Sequence, residues 1–439
     1  MGLRGVSARD LQGAVDWIYA SLARSRAPKA PDRIRRHPEW TVRLYRELGE
    51  SGAVRQRTVV AGSKGKGSTA AMLAALLGQV RPGVLLFTGP DLGDFRERIR
   101  VDGVPVSTEE LWAGIDALEG PLARVGPVPP EQYLGPVGLT ALIALVLGGR
   151  HGVWAEVLEC GRGARSDDVA ALEHRVGVLT PVFLEHVAEL GPTIAQIGWE
   201  KAGVAGWGTE IVISARQRPP VRLALERQAH RVGARVWRVG RELRVGRVRA
   251  GREWTVADFE TPGASYRDVP VALLGAHQAE NALLALGAAE AVLGEALDPA
   301  RVAAALSGVQ WPGRLERVAG DPEVVLDGAI GGEGARRIAA YLAATTPTPR
   351  VALVGVPVNK DVAGVVAALR PHVDALWASS ARAPWVHFPG EVPRGADALI
   401  PSLGHALELG RMRARGGSLW IVGTQSFIGE ALALVKPAP

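Results

Sequence analysis

A glycine-rich loop that joins an apolar run to an alanine- and leucine-rich segment constrains the fold of this chain more than any other feature. The apolar run is Thr58–Ala61, the loop covers Gly62–Ser68, and Thr69–Gly78 has the composition of a helix. A strand that enters a helix through such a turn points backbone N–H groups and the helix N-terminus at one spot, which suits phosphate oxygens. The pattern predicts an α/β sheet with a nucleotide site at the end of this strand.

Lysine is scarce in this chain, which makes the two lysines of the loop informative. Lysine and arginine together number 51, and six of these residues are lysine. A structural turn does not explain why Lys64 and Lys66 both stand here, whereas a nucleotide site does, because lysine is a compact charge on phosphate. The loop is shorter than a Walker A motif, and Gly67 separates Lys66 from Ser68. We expect Lys66 to reach the phosphates and the Ser68 hydroxyl to bind Mg²⁺.

Alternation of apolar runs and helical segments continues along the chain and predicts a mostly parallel α/β sheet. Further strands are predicted at 84–88, 154–159, 176–180 and 236–239, and again at 324–327, 351–354, 376–377 and 419–422, with helices at 139–147, 220–230 and 275–293. Residues 8–50 are predicted to be helical, with breaks at Pro28 and Pro31. Because Trp311-Pro-Gly-Arg314 indicates a boundary, we expect one domain over residues 1–310 and a smaller α/β domain over 311–439.

Composition and charge exclude several classes of protein. Cys160 is the single cysteine among 439 residues, so no internal disulfide can form. No stretch reaches the ~18 apolar residues of a membrane span, and the N-terminus lacks the apolar core of a signal peptide, so we expect a cytoplasmic protein with no membrane partner. Residues 216–249 hold eleven arginines. They are spread among apolar residues, which favours a solvated helix and strand over a nucleic-acid surface.

Three further residues are candidates for the site, and two of them stand at or just beyond predicted strand ends, where α/β sheets bind ligands. Glu159 ends an apolar strand, and its carboxylate either holds Mg²⁺ or belongs to a turn with solvated charges. His186 follows the strand at 176–180 and is a metal ligand, a hydrogen-bonding partner or a structural histidine. Lys201 lies in a Lys-Ala-Gly turn, where a surface lysine near a helix end is the simpler interpretation.

Taken in order, these segments resemble the folylpolyglutamate synthase and dihydrofolate synthase family of the Mur ligase superfamily. The motifs are Gly62–Ser68, Phe95-Arg-Glu-Arg-Ile99 with Gly103, Leu158-Glu-Cys-Gly161, Glu185-His186, Lys201-Ala-Gly203, His277-Gln-Ala-Glu-Asn-Ala282, Pro312-Gly-Arg314 and Asp327-Gly-Ala329. The resemblance runs from about residue 55 to the C-terminus. It implies a P-loop, Mur-ligase-like central ATPase domain with a parallel-rich sheet, and a smaller Rossmann-like α/β C-terminal domain.

The resemblance also implies an ATP-dependent ligase that phosphorylates a folate- or pteroate-type carboxylate and joins the acyl phosphate to glutamate. The implied cofactors are ATP and one or two Mg²⁺ ions, and the implied partners are a small-molecule acid and an amino acid, bound by a monomer. The residues implied to be catalytic are Lys66, His186 and Lys201; those implied to bind the nucleotide are Gly62, Gly65, Lys66, Gly67, Ser68, Thr69, Asn281, Arg314 and Asp327; those implied to hold Mg²⁺ are Ser68, Glu159, His186 and Lys201, the last as a carbamate.

Several positions depart from the family pattern, and they fall mainly outside the phosphate loop. The family's Thr-Ser-Pro-His-Leu reads Thr88-Gly-Pro-Asp91-Leu92, and its Asp-Gly-Ala-His-Asn reads Asp327-Gly-Ala-Ile330-Gly331. The remaining departures are Lys64 for asparagine, Glu185 for aspartate, and Val169 and Ala170 for threonine and asparagine.

Three functions therefore stay open. The first is the family activity, and the second is a related Mur-type ligase that joins a different acid and amine. The third is a nucleotide-binding protein that has lost ligation, for which the loss of histidine and asparagine after Asp327 is the best support.

Overall fold

The structure is a computed structural model that describes residues 9–27, 30–49, 56–382 and 386–436. The α-helices are α1 Leu11–Arg24, α2 Asp32–Arg35, α3 Glu39–Glu47, α4 Lys66–Val80, α5 Thr108–Val125, α6 Pro136–Arg150, α7 Val187–Leu190, α8 Ile194–Lys201, α9 Pro219–Val232, α10 Ala276–Leu293, α11 Pro299–Ser307, α12 Gly332–Thr345, α13 Val362–Leu369, α14 Leu403–Arg413 and α15 Gln425–Val435. The β-strands are β1 Gln56–Ala61, β2 Val84–Phe87, β3 Ile99–Val101, β4 Val104–Pro105, β5 Ala155–Glu159, β6 Val176–Leu179, β7 Ile211–Ser214, β8 Arg235–Arg238, β9 Arg244–Ala250, β10 Thr255–Glu260, β11 Ser265–Val271, β12 Glu316–Val318, β13 Glu323–Asp327, β14 Arg350–Gly355, β15 Ala375–Ser380, β16 Ala398–Ser402 and β17 Ser418–Gly423.

The N-terminal segment forms three helices, as the sequence predicts. Helix α1 begins after Asp10, whose carboxylate accepts a hydrogen bond from the Gly13 backbone N–H at 2.7 Å. Pro31 precedes α2, so the predicted break there is confirmed. The predicted break at Pro28 lies outside the described residues.

The first large sheet has eight strands in the order β4-β3-β2-β5-β1-β6-β7-β8. Strands β2, β5, β1, β6, β7 and β8 run parallel, and β3 and β4 form an antiparallel edge. Helices α1, α3, α5 and α6 contribute to the core on one face, and α4, α10 and α11 cover the other. The predicted parallel α/β sheet is therefore confirmed, and its central strands are buried on both faces.

A small antiparallel sheet, β9-β10-β11, was not among the predicted elements. Its inner face carries Phe259 and Tyr266, which are both fully buried. On the exposed side Arg247 and Arg249 pair with Asp268 at 3.2 and 2.7 Å. The alternation of charged and apolar residues from Arg244 onward was the available signal for this sheet.

The second large sheet has six strands in the order β12-β13-β17-β14-β15-β16, and all pairs except β12-β13 are parallel. Strands β13, β17 and β14 are neighbours, so the residues after Asp327, Gly423 and Gly355 leave the sheet at the same edge. All four strands predicted beyond residue 311 are present, and the exact domain boundary stays a prediction. None of the described helices is long and apolar enough to cross a membrane.

Candidate active site

The site lies at the carboxyl ends of three neighbouring strands, β5, β1 and β6. Strand β1 leads into the loop Gly62–Ser68, β5 ends at Glu159, and β6 is followed by Thr180. Since parallel strands end at one edge of a sheet, this order places the predicted phosphate loop between Glu159 and the segment that carries His186.

Two glycines let the phosphate loop pack tightly against its neighbours. Gly62 and Gly65 have φ values of 141° and 87°, a region that side-chain-bearing residues rarely adopt. A Cβ on Gly62 would collide with Thr180 Oγ1, and a Cβ on Gly65 would collide with Asn281 Oδ1. Asn281, predicted as a nucleotide residue, therefore contacts the loop directly and supports its shape.

The loop residues predicted to bind phosphate cluster at the start of α4. Gly65 is the N-cap of this helix, and the Lys66 ammonium donates a hydrogen bond to the Gly62 carbonyl at 3.2 Å. Ser68 and Thr69 are buried in the first turn. A Cβ on Gly67 would lie 3.3 Å from both Glu159 Oε2 and the Trp311 ring, so this position is closed on two sides.

Glu159 supplies the carboxylate that faces the phosphate loop. It is buried, and its Oε2 accepts a hydrogen bond from the Gly89 backbone N–H at 3.2 Å. Burial raises the pKa of Glu159, and the nearby Lys66 charge opposes that rise. A buried carboxylate beside a phosphate loop is a suitable magnesium ligand.

Lys201 is fully buried at the end of α8, which removes the surface-lysine interpretation. Its ammonium donates to the Gly62 and Arg162 carbonyls at 2.8 and 2.6 Å and lies 3.1 Å from Glu185 Oε1. Burial lowers the pKa of Lys201, and Glu185 counteracts this shift. Lys201 thus ties the β1 end to the loop at Arg162 and to the segment after β6.

His186 lies beside a lysine of the second large sheet. Lys360 Nζ is 3.3 Å from His186 Nδ1 and 3.5 Å from Nε2, and Glu189 Oε2 is 3.8 Å from Nδ1. Burial and the Lys360 charge lower the pKa of His186 to about 3, so its ring is neutral at physiological pH. Lys360 stands in Asn359-Lys-Asp361, between β14 and α13.

The predicted nucleotide residues Arg314 and Asp327 meet where the two large sheets approach each other. Asp327 Oδ2 accepts a hydrogen bond from the Leu315 backbone N–H at 3.0 Å, and Arg314 packs against Gly328. Burial raises the pKa of Asp327, and Arg314 opposes the rise. Burial and two arginines, Arg337 and Arg314, lower the pKa of His277 to about 4.

The residues around the phosphate loop suit a magnesium ion that is bound together with ATP. No three His, Cys, Asp or Glu side chains of the described chain lie together in a way that could hold a metal ion alone. A magnesium ion bound with ATP needs fewer protein ligands, because phosphate oxygens and water complete its shell, and Ser68 and Glu159 suit that arrangement. Lys201, as an unmodified amine, donates to two carbonyls and lies beside Glu185, and a carbamate at this position stays a prediction of the resemblance.

The loop after β2 carries a closed ion pair where the family pattern has histidine. Arg98 Nε donates to Asp91 Oδ1 at 2.5 Å, and both side chains are mostly buried. Arg100 and Trp311 line the same cleft, together with Gln425 at the start of α15. The Arg98 guanidinium is thus paired with a carboxylate of its own loop.

The N-terminal helices, which sequence reasoning left without a role, fix the loop between β5 and β6. Arg36 pairs with Asp167 at 3.0 Å, and Arg162 pairs with Asp32 at 3.0 Å. The Thr41 hydroxyl donates to Asp168 at 2.7 Å. The loop whose Arg162 carbonyl Lys201 contacts is therefore held from two sides.

Comparison with proteins of known function finds relatives over most of the chain. The dihydrofolate synthase/folylpolyglutamate synthase of Bacillus subtilis is 31% identical over 324 residues, which are 72% of this chain and 71% of that protein. The protein of the same description from Mycobacterium tuberculosis is 33% identical over 335 residues, which are 72% of this chain and 68% of that protein. No protein-family model matches the chain.

Solved structures share the fold over nearly its whole length. Folylpolyglutamate synthase of Mycobacterium tuberculosis, complexed with ADP and AMPPCP, superposes with a TM-score of 0.84 at 28% identity and covers 92% of this chain and 96% of its own. The apo form of the L. casei protein has a TM-score of 0.82 at 22% identity and covers 96% and 98%. The two-domain α/β fold class is thereby confirmed.

Proposed function

The chain belongs to the dihydrofolate synthase/folylpolyglutamate synthase family, and from that premise we propose that it is an ATP-dependent ligase that adds glutamate to a folate- or pteroate-type carboxylate. The observation that carries the proposal is the phosphate loop with Lys66, held between buried Glu159 and buried Lys201. Such a site offers aligned positive charge to a triphosphate, which is the main requirement of phosphoryl transfer.

In the proposed reaction, the loop amides and Lys66 hold the ATP phosphates while an oxygen of the acceptor carboxylate attacks the γ-phosphorus. The bond to ADP breaks, and ADP keeps the electron pair. The amine of the amino acid then attacks the carbonyl carbon, phosphate leaves, and the nitrogen loses a proton. When bound, Mg²⁺ held by Ser68 and Glu159 would supply charge neutralisation. Closure of the two large sheets over the site would exclude water from the acyl phosphate.

The chain's own residues divide this work. Lys66 binds and orients phosphate, Asn281 and Lys201 hold the loop that presents it, and Arg314 and Asp327 are placed to meet the nucleotide from the other sheet. His186 as a metal ligand, a carbamate on Lys201 and a second Mg²⁺ stay predictions of the resemblance, and no step above depends on them.

The test is ADP release by the purified protein with Mg·ATP, bicarbonate and a matrix of acids against amino acids. We expect ADP to form with dihydropteroate or tetrahydrofolate only when glutamate is present, and mass spectrometry to find the product one glutamyl unit heavier. ADP formed with none of the folate-type acids would contradict the proposed substrates. ATP that binds without turnover for any pair would favour a protein that has lost ligation.

A second candidate is a ligase of the same kind with a different acid. The Asp91–Arg98 pair favours it, because Arg98 is already neutralised and cannot serve an acceptor carboxylate as an unpaired cation could. Turnover with another acid in the same matrix, and none with folates, would establish this alternative.

A further inference from the structure

Lysines converge on one place in this molecule. Of the six lysines in the chain, Lys64, Lys66, Lys201 and Lys360 all lie within electrostatic reach of Glu185 or of one another. Three of them come from the first large sheet and its loops. Lys360 comes from the loop after β14 of the second large sheet and contacts His186, which follows β6 of the first large sheet.

Lys360 differs from its neighbours in the partners it has. Lys201 has a carboxylate partner in Glu185 at 3.1 Å, and Arg162 has one in Glu189 at 3.1 Å. Within the described residues, no carboxylate forms an ion pair with Lys360. Its ammonium lies 3.3 and 3.5 Å from the two ring nitrogens of His186, and Glu185 and Glu189 act on its charge from farther away. These nearly equal distances do not correspond to one in-line hydrogen bond, so the His186 ring does not hold the ammonium in one fixed direction.

The backbone that presents Lys360 is firmly fixed. The Lys360 N–H donates to the Pro357 carbonyl at 2.9 Å. The next residue, Asp361, caps α13 through the Gly364 N–H and also accepts from the Gly332 N–H, both at 2.9 Å. A rigid backbone that holds a half-buried lysine without a carboxylate partner leaves the cation available to an anion.

We propose that Lys360 is a catalytic residue that the second large sheet delivers to the transferring phosphoryl group. The inference rests on the proposed ligase function. As the acceptor oxygen forms its bond to the γ-phosphorus and the bond to ADP breaks, negative charge is spread over the non-bridging phosphoryl oxygens. Lys360 contacts those oxygens through its ammonium, keeps its proton throughout, and moves from the His186 ring to the phosphoryl group. Delivery from the opposite sheet couples the charge to closure of the site.

The first test compares Lys360→Ala with the wild type in the ADP-release assay, under the acid and amine pair that gives most turnover. We expect kcat to fall by about 10²–10³-fold, as for loss of one donor to transition-state charge, while the Kd of an ATP analogue stays within about threefold. The matched control is Lys436→Ala, which removes a half-exposed lysine paired with Glu316 at 2.6 Å, and it should keep wild-type turnover.

A chemical rescue separates a catalytic ammonium from a packing role. Lys360→Cys treated with 2-bromoethylamine gains an aminoethyl thioether side chain. This side chain has the length of lysine and differs from it only by a sulfur atom in place of one methylene group. Cys160, the single native cysteine, is buried, so wild-type protein treated in parallel is the control. We expect the treatment to raise the kcat of Lys360→Cys by at least about tenfold.

The outcomes separate the two proposals. A wild-type protein without turnover for any pair would overturn the ligase function and this inference together. An active wild type with Lys360→Ala within about twofold of it, or a fully modified Lys360→Cys without recovery, would overturn the role of Lys360 alone.

Discussion

The two sides of the candidate site are built in different ways. On the phosphate side, Gly62 and Gly65 contact neighbouring side chains so closely that no other residue fits, and Lys201 joins three segments through buried contacts. On the acceptor side, Asp91 and Arg98 satisfy each other within one loop. The first arrangement depends on several segments at once, whereas the second lies within one loop and can change with a single substitution.

This difference separates reaction type from substrate. Phosphoryl transfer needs the same geometry whatever acid is used, so the phosphate side tolerates little change. Under the proposed function, recognition of the acid would depend on a few charges in the cleft near Trp311, and a changed pair there would alter the preferred acid without disturbing the loop around Lys66.

The largest expected effect is on the phosphate side, at Lys66. Lys66→Ala should lower ATP turnover by roughly 10³-fold, because the loop loses its charge on the phosphates. Steady-state ADP release measures this, with circular dichroism to confirm the fold. Turnover at the wild-type rate would remove the phosphate-loop assignment and with it the contrast between the two sides.

Lys201→Met tests whether the phosphate side depends on buried charge. The variant removes the ion-pair partner of Glu185 and one donor each from the Gly62 and Arg162 carbonyls, and we expect the free energy of unfolding to fall by about 3 kcal/mol in urea denaturation. Adding Glu185→Gln should recover part of that loss, since the uncompensated carboxylate is removed. Lys436→Met, at an exposed ion pair, should cost less than about 1 kcal/mol. Equal losses at Lys201 and Lys436 would contradict the buried network.

Asp91→Asn tests the acceptor side by itself. The change leaves Arg98 without its anion, so the KM for a carboxylate acceptor should fall by about fivefold while the KM for ATP stays unchanged. Initial rates at varied acceptor and varied ATP measure both constants. A parallel shift in the two constants would mean that the sides are not independent.

The smallest expected effect concerns pH and His277. The pKa of His277 is about 4 in the folded protein, because of burial and of Arg337 and Arg314, against about 6.5 in an unfolded chain. Between these pH values the unfolded chain therefore binds more protons than the folded protein does. The free energy of unfolding consequently falls as pH falls from about 6.5 to 4, by at most ~1.4 kcal/mol per pH unit. His277→Gln should flatten that slope in urea denaturation, whereas exposed His405→Gln should follow the wild type.

Much of the fold and of the phosphate side could be predicted from sequence, because both depend on local patterns. The apolar run before Gly62 and the glycines of the loop specify a strand, a turn and a helix within a few residues. The small sheet around Phe259 was missed, although charged and apolar residues alternate from Arg244 onward. Its burial depends on packing against distant helices, which no local window contains.

The contacts between distant segments could not be predicted in the same way. That Lys201 would meet Glu185, or that Lys360 would meet His186, follows from how two sheets approach each other, and neither spacing nor composition encodes it. Scarcity of lysine marked these residues as unusual, yet it gave no partner for any of them. The same holds for Arg36, whose role in holding Asp167 depends on the docking of the N-terminal helices.

The crowding of lysines around one loop has a consequence for covalent chemistry. Burial lowers the pKa of Lys64 to about 8, so near pH 8 about half of its amine is unprotonated, whereas an ordinary lysine with a pKa near 10.4 has less than ~1% in that form. An amine-directed electrophile with an anionic tail would therefore label this loop before the exposed Lys436. Nucleotides would protect against it, and a selective acylating probe of this protein could be built on that difference.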